Sequence, residues 1–150
     1  IGLMEQLLVA LNALRSRKIF DKILGQHTFS LEYIAHEDQI FFYVVIPRKY
    51  QTLIEKQITS YYSDAVIEDT DEVNIFAKAK YYSNTLMYLS KESVYPIKTY
   101  DKLESDPINN ITNALSKLEY DESCAIQILL RPTSNRWQKK ASKKASKLQK

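Results

Sequence analysis

The sequence predicts an α+β fold, a mostly antiparallel sheet with helices on one face, and three observations lead to this prediction. Two adjacent segments, residues 28–36 and 39–46, alternate apolar and polar side chains with the period of two that half-buried strands show. Three other segments carry apolar side chains at offsets of three and four, the spacing of amphipathic helices. Finally, the order strand, strand, helix, strand occurs twice along the chain.

The N-terminal part predicts a helix followed by a β-hairpin. Residues 3–15 form the helix, since they place one apolar stripe at helical spacing: Met4, Leu7, Leu8, Leu11 and Leu14. The polar residues 36–39 connect the two strands of the hairpin.

Pro47 stops the second strand and opens a helix over residues 50–61. A short strand at residues 65–68 then completes the first unit, before an acid-rich stretch at 68–72.

The second half predicts strands at residues 85–90 and 94–98, a helix, and a final strand at 123–131. Asp106 and Pro107 mark the helix start, because a capping carboxylate precedes a proline in the first turn. The final strand places Cys124, Ile126, Ile128 and Leu130 on one face, and Pro132 ends it. A basic helix follows from Ser134 or Asn135.

These elements predict one α+β domain over residues 1–135, with internal halves at about 28–70 and 83–132, and a basic helix or linker at 136–150. The two halves share their order of elements and no sequence identity, so a ferredoxin-like duplication is a hypothesis. Since the chain begins with Ile1 and Gly2, we interpret it as part of a longer protein. No stretch approaches the roughly 20 apolar residues that cross a bilayer.

The sequence argues against the common catalytic and metal-binding motifs. With only two glycines, neither a P-loop nor a dinucleotide fingerprint can be written. One cysteine and two histidines cannot supply the four ligands of a structural zinc site, and His36, Glu37 and Asp38 read better as a polar hairpin tip than as a cation site. Cys124 falls on an apolar strand face and predicts a small buried hydrophobe. We therefore expect no cofactor and no enzyme, although a carboxylate pair is not excluded by sequence.

Basic residues are concentrated at the end of the chain. Residues 136–150 hold seven of the 21 basic side chains and no acid, so the remainder has 14 basic and 18 acidic residues and a net charge of −4. The seven are candidate contacts to nucleic acid or an anionic surface: Arg136, Lys139, Lys140, Lys143, Lys144, Lys147 and Lys150. A solvated helix leading to a further domain explains them equally well. Tyr81 and Tyr82 beside Lys78 and Lys80 could stack bases, but core or rim packing is the favoured interpretation.

Three segments together resemble one family: FSLEYIAHEDQIFFYVVIPRKY (29–50), YPIKTYDKLESDPINNITNALSKLE (95–119) and IQILLRPTSNRWQKKA (126–141). They are similar to the domain that precedes the motor in bacterial type IV secretion coupling ATPases, the TraG-like proteins of conjugative DNA transfer. The similarity runs from about residue 3 to 141, and none of its motifs is catalytic. The resemblance implies a non-catalytic domain on the cytoplasmic side of the membrane, with an anchor before it and an ATPase motor after it.

The leading hypothesis is therefore an assembly or adaptor domain of a membrane-associated, DNA-translocating ATPase. Its expected partners are the downstream ATPase domain, other secretion-system subunits and, in the full-length protein, further copies of itself, with DNA or anionic lipid as further candidates. The alternative is a self-contained nucleic-acid-binding module that uses the basic helix. An independent enzyme is the third class.

Overall fold

The computed structural model describes residues 3–19, 23, 25–71, 73–77, 79–95, 97–98, 102–104 and 106–148. Within these residues, helices and strands occur together, and the predicted α+β class is confirmed. The helices are α1 (Leu3–Ala13), α2 (Gln51–Tyr61), α3 (Pro107–Leu115) and α4 (Arg136–Leu148). The strands are β1 (Phe29–His36), β2 (Gln39–Val45) and β3 (Cys124–Leu130).

The three strands form one antiparallel sheet in the order β2-β1-β3. Leu31 of β1 lies opposite Val44 and Ile128, and the next row of the same face places Tyr33 opposite Phe42 and Ile126. β1 is therefore the central strand, and it pairs with a strand that follows nearly ninety residues later. Because a lone two-stranded hairpin is only marginally stable in water, β3 supplies the third strand that the sheet requires.

The core lies where α1 and α2 meet the beginning of β1. Phe29 of β1, Leu11 of α1 and Ile54 of α2 are 1%, 4% and 2% exposed and form one cluster. Tyr50 packs its ring against Phe29 with the centroids 5.8 Å apart. Removing each of these aliphatic or aromatic side chains from water contributes roughly 2 kcal/mol, so this cluster is the main energetic link between the helices and the sheet.

A tight turn at residues 37 and 38 connects β1 and β2, and the predicted hairpin is confirmed. Glu37 and Asp38 have φ angles of +49° and +61°. Two consecutive residues with positive φ define a type I′ turn, whose twist matches that of the flanking strands. Asparagine and glycine are the usual residues in such a turn. Here Glu37 and Asp38 take their places, and their left-handed conformation raises the free energy of the folded state.

The start of α3 is as predicted. The Oδ1 atom of Asp106 accepts a hydrogen bond from the backbone N–H of Ile108 at 2.9 Å, and Pro107 occupies the first turn. At the other end, Leu115 is buried and 6% exposed, whereas Ile108 is 44% exposed. The apolar side of this helix is thus buried at its C-terminal end and exposed at its N-terminal end.

The strand predictions for residues 65–68 and 85–90 are wrong, because both segments are irregular in the structure. Residues 81–90 are exposed throughout, and Tyr88 and Met87 are each 81% exposed. An alternating segment becomes a strand only when a neighbouring strand pairs with its backbone, and neither segment pairs with a strand in the described part of the chain. The prediction for 94–98 includes residue 96, outside the described residues, and its other residues are not in a strand. The duplication is therefore not confirmed.

Within the described ranges, no helix combines the length and apolar character needed to span a bilayer.

Candidate functional site

The most distinctive charged surface is the basic face of α4. At 3.6 residues per turn, its basic side chains fall within an arc of about 140°. We divide them into an outer row, formed by Arg136, Lys139, Lys143 and Lys147, and an inner row, formed by Lys140 and Lys144. The seventh predicted residue, Lys150, lies outside the described residues.

The inner row is held by the loop at residues 91–95. Lys140 and Lys144 each place Nζ 3.1 Å from a carboxylate oxygen of Glu92. The Nζ of Lys144 also lies 4.5 Å from the ring centroid of Tyr95, at cation–π distance. These contacts connect α4 to a segment about fifty residues earlier in the chain.

The contacts between this loop and α4 shift the pKa values of Glu92 and Lys144. The hydrogen bonds from Lys144 and Lys140 lower the pKa of Glu92 below its ordinary value. The contacts of Lys144 with Tyr95 and then Glu92 raise the pKa of that lysine. Glu92 is exposed and Lys144 is only half-buried, so the pairs contribute modestly to stability and act mainly to orient the helix.

The outer row remains available to an external ligand. Its four side chains are exposed, and none of them forms an ion pair with a described residue. From the first to the last, they span about 16 Å along the helix axis at 1.5 Å per residue. Four uncompensated positive charges in one line repel each other and attract anionic ligands.

The side of α4 next to the inner row is only weakly apolar. The sequence places Trp137, Ala141, Ala145 and Leu148 there. Ala141 is half-buried, while Trp137 is 41% exposed and Ala145 is also exposed. The side chain of Leu148 lies outside the described side chains. This side of the helix therefore buries little apolar surface.

A second polar cluster joins the hairpin to the start of β3. The Nδ1 atom of His36 lies 2.6 Å from the Ser123 hydroxyl, and its Nε2 atom lies 3.4 Å from a carboxylate oxygen of Glu37. The histidine borders a hollow of about 140 Å³ with Leu115 and Glu119 on its wall. The serine–histidine–carboxylate order is that of a nucleophile and its base. However, His36 and Glu37 are 40% and 52% exposed, and 3.4 Å is long for a hydrogen bond. We therefore assign the cluster a structural role, tying β1 to β3.

No group of three or more metal-ligating side chains converges in the portion of the chain that the structure describes. Cys124 is half-buried at the start of β3, opposite Ala35, so it is less enclosed than predicted. The partial burial follows because β3 pairs with β1 on one side and has no described strand on its other side.

The tyrosine pair does not occupy the core. Tyr81 and Tyr82 are 93% and 74% exposed, so the core part of the core-or-rim interpretation is wrong for both. Tyr82 packs against Phe76 with ring centroids 5.7 Å apart. Lys80 is exposed beside them, and Lys78 lies outside the described residues. No strand among the described residues pairs with this segment, which leaves its aromatic side chains in solvent.

Sequence reasoning missed an apolar surface on the sheet, which we call the open sheet face: Phe42 and Val44 of β2 and Ile128 of β3. These side chains are 66%, 37% and 44% exposed. They are on the same face of the sheet as Phe29, because Leu31 separates Val44 from Ile128 in one row and Tyr33 lies opposite Phe42 in the next. Strand alternation predicts which residues share a face, but it gives no signal of how much of that face the helices cover.

Comparison with known proteins gives one positive result. No curated protein matches the chain significantly, and no solved structure does. The profile of the family described as Domain of unknown function (DUF8128) matches residues 1–150, the whole chain. The protein with this open sheet face and basic terminal helix is therefore a member of the DUF8128 family.

Proposed function

We propose that the chain is a non-catalytic adaptor domain of a membrane-associated, TraG-like DNA-translocating ATPase, and that it helps the motor assemble or receive its substrate. The resemblance of residues 29–50, 95–119 and 126–141 to such proteins suggests the setting. The observation that carries the adaptor role is the open sheet face.

The open sheet face has the character of a contact surface. Its three exposed residues adjoin Leu31 and Tyr33, so apolar side chains continue across all three strands. Single exposed apolar residues are ordinary on soluble proteins, whereas contiguous apolar patches are typical of interaction sites. Covering Phe42, Val44 and Ile128 would release their hydration water and favour association with a neighbouring domain or subunit.

The sheet offers a matched control for testing this role. Val45 of β2 and Leu129 of β3 point to the opposite face and are 54% and 60% exposed. In the full-length protein, we expect Phe42→Ser with Ile128→Thr to reduce cross-linked oligomers and substrate transfer. Val45→Thr with Leu129→Thr should leave both close to wild type. Circular dichroism melts of the isolated chain would establish that both double variants fold.

Deletion of residues 1–135 from the full-length protein tests the proposal more broadly. An adaptor role requires that the deletion impair assembly, measured by size-exclusion chromatography and cross-linking, or impair substrate transfer. If assembly and transfer both continue unchanged, the proposal is wrong. Equal losses in the two sheet-face variants would show that general sheet disruption, and not the open sheet face, accounts for the effect.

Nucleic-acid binding is the second candidate function, favoured by the exposed outer row of α4, which forms no ion pair with a described residue. The two functions are compatible, since the open sheet face and α4 use different residues.

A further inference from the structure

We infer that the outer row of α4 is a linear binding site for the phosphate backbone of nucleic acid, without base readout. The inference rests on the arrangement of four side chains and is independent of the adaptor function proposed above. It assigns Arg136, Lys139, Lys143 and Lys147 to the contact and assigns Lys140 and Lys144 to holding the helix.

The spacing of the outer row suits a regular polyanion. Its members follow each other at intervals of three, four and four residues, or about 4.5 to 6 Å along the helix axis. The row is about 16 Å long, and one strand of B-form DNA carries a phosphate about every 3.4 Å along its axis. Four cations therefore face about five phosphates of one strand.

The inner row gives the helix a defined orientation. Glu92 pairs with Lys140 and Lys144, while Tyr95 contacts Lys144 from the same loop. These contacts place the inner row against residues 92 and 95, while the four outer-row side chains are exposed to solvent. Three of the four outer cations are lysines. A lysine ammonium acts as a point charge, whereas the planar guanidinium of arginine can form two parallel hydrogen bonds to one partner. Such a row attracts phosphates wherever they lie on the backbone, so it predicts binding without sequence preference.

The same observations favour nucleic acid over a lipid surface. A helix that lies in a membrane interface inserts a broad face of large apolar residues. Here the corresponding side of α4 has two alanines, one of which is half-buried, and Trp137 as its one large side chain described. Lys144 borders this side and is already bound by Glu92 and Tyr95. Insertion of this side into a membrane would break those contacts and would bury little apolar area.

The test is fluorescence anisotropy of labelled single-stranded and duplex DNA with the whole 150-residue chain, titrated from 50 to 200 mM KCl. Four phosphate contacts predict a slope of log K against log salt of about −3.6 for duplex and about −2.8 for single strands. Duplex affinity should therefore fall about 150-fold over this salt range. Scrambling the DNA sequence should leave the affinity unchanged.

A charge-matched pair of variants locates the site. Replacing the four outer-row residues by glutamine should weaken binding at 50 mM KCl at least 100-fold, because all phosphate contacts are lost. The control replaces four exposed lysines elsewhere by glutamine, which lowers the net charge equally: Lys56, Lys80, Lys98 and Lys117. The control should retain binding within about threefold, since only long-range attraction is reduced.

Three outcomes would overturn the inference. The first is an equal loss in the two quadruple variants, which would assign binding to overall charge. The second is no binding of the wild-type chain to either DNA at 50 mM KCl. The third is co-sedimentation with phosphatidylserine vesicles in the absence of DNA binding, which would assign the row to lipid. Since the assay uses the isolated chain, its failure leaves the adaptor function standing, and failure of the assembly experiments leaves this inference standing.

Discussion

Replacement of Asp38 by glycine should stabilise the protein, because the residue has a φ of +61° in the hairpin turn. A non-glycine residue in the left-handed region costs about 1 to 2 kcal/mol. Glycine removes this cost but adds about 0.5 to 1 kcal/mol of backbone entropy to the unfolded chain. The net gain should be about 0.5 to 1 kcal/mol, which raises the melting temperature by about 1 to 4 °C in a protein of this size.

Urea and thermal unfolding followed by circular dichroism would measure this gain. Asp71→Gly is the matched control, because Asp71 is an exposed aspartate whose φ is not positive. Among the described non-glycine residues, positive φ angles occur at Glu37 and Asp38. The control carries the entropy cost of glycine without relief of strain, so we expect it to be neutral or slightly destabilising. If Asp38→Gly gave no more stability than Asp71→Gly, the assignment of a type I′ turn would be refuted. Adding Glu37→Asn to the first variant should increase the gain, because asparagine tolerates the left-handed region better than glutamate.

Three further predictions follow from packing, capping and charge. Ile54→Ala should lower the free energy of unfolding by about 3 kcal/mol in urea titrations, since it removes buried methyl groups and leaves a cavity. Asp106→Ala should cost about 1 kcal/mol in the same titrations, because the first turn of α3 loses its side-chain cap. The anisotropy of Trp137, the sole tryptophan, should be constant at intermediate pH. It should fall as acid protonates Glu92 below its unfolded value of 4.5, and again as base deprotonates Lys144 above its unfolded value of 10.5.

Each of these three predictions has a control. Leu53→Ala changes the neighbouring side chain on α2, which is 45% exposed, and should cost under about 1 kcal/mol. Asp121→Ala removes an exposed aspartate that is not a helix cap and should be nearly neutral. Glu92→Gln should lower the Trp137 anisotropy at neutral pH and abolish the acid transition. If the acid transition were unchanged in this variant, a group other than Glu92 would determine how firmly α4 is held.

Local sequence signals were reliable wherever nearby residues complete the element. Asp106 caps its helix within two residues, and β1 and β2 pair across a turn of two residues. The basic arc of α4 is likewise fixed by helical periodicity alone, and six of the seven predicted residues lie within the described helix. In these cases the required partners lie within a few residues, and the sequence carries the whole signal.

Strand predictions failed where no described strand is available as a pairing partner. Residues 85–90 alternate like a strand, yet no described strand pairs with them. Tyr81 was expected in a packed setting and is 93% exposed. The loss of half of the predicted sheet therefore reflects pairing, which depends on the whole fold and not on local preference.

The sequence by itself determined the α+β class, the hairpin, the cap of α3 and the concentration of positive charge in the last helix. Only the tertiary structure decided that β3 pairs with β1, that the open sheet face stays uncovered, and that Glu92 divides the lysines of α4 into a held row and a free row. The physical reason is range: periodicity and capping act over one or two turns of chain, whereas strand pairing, burial and ion pairing depend on residues that folding brings together from distant parts of the chain.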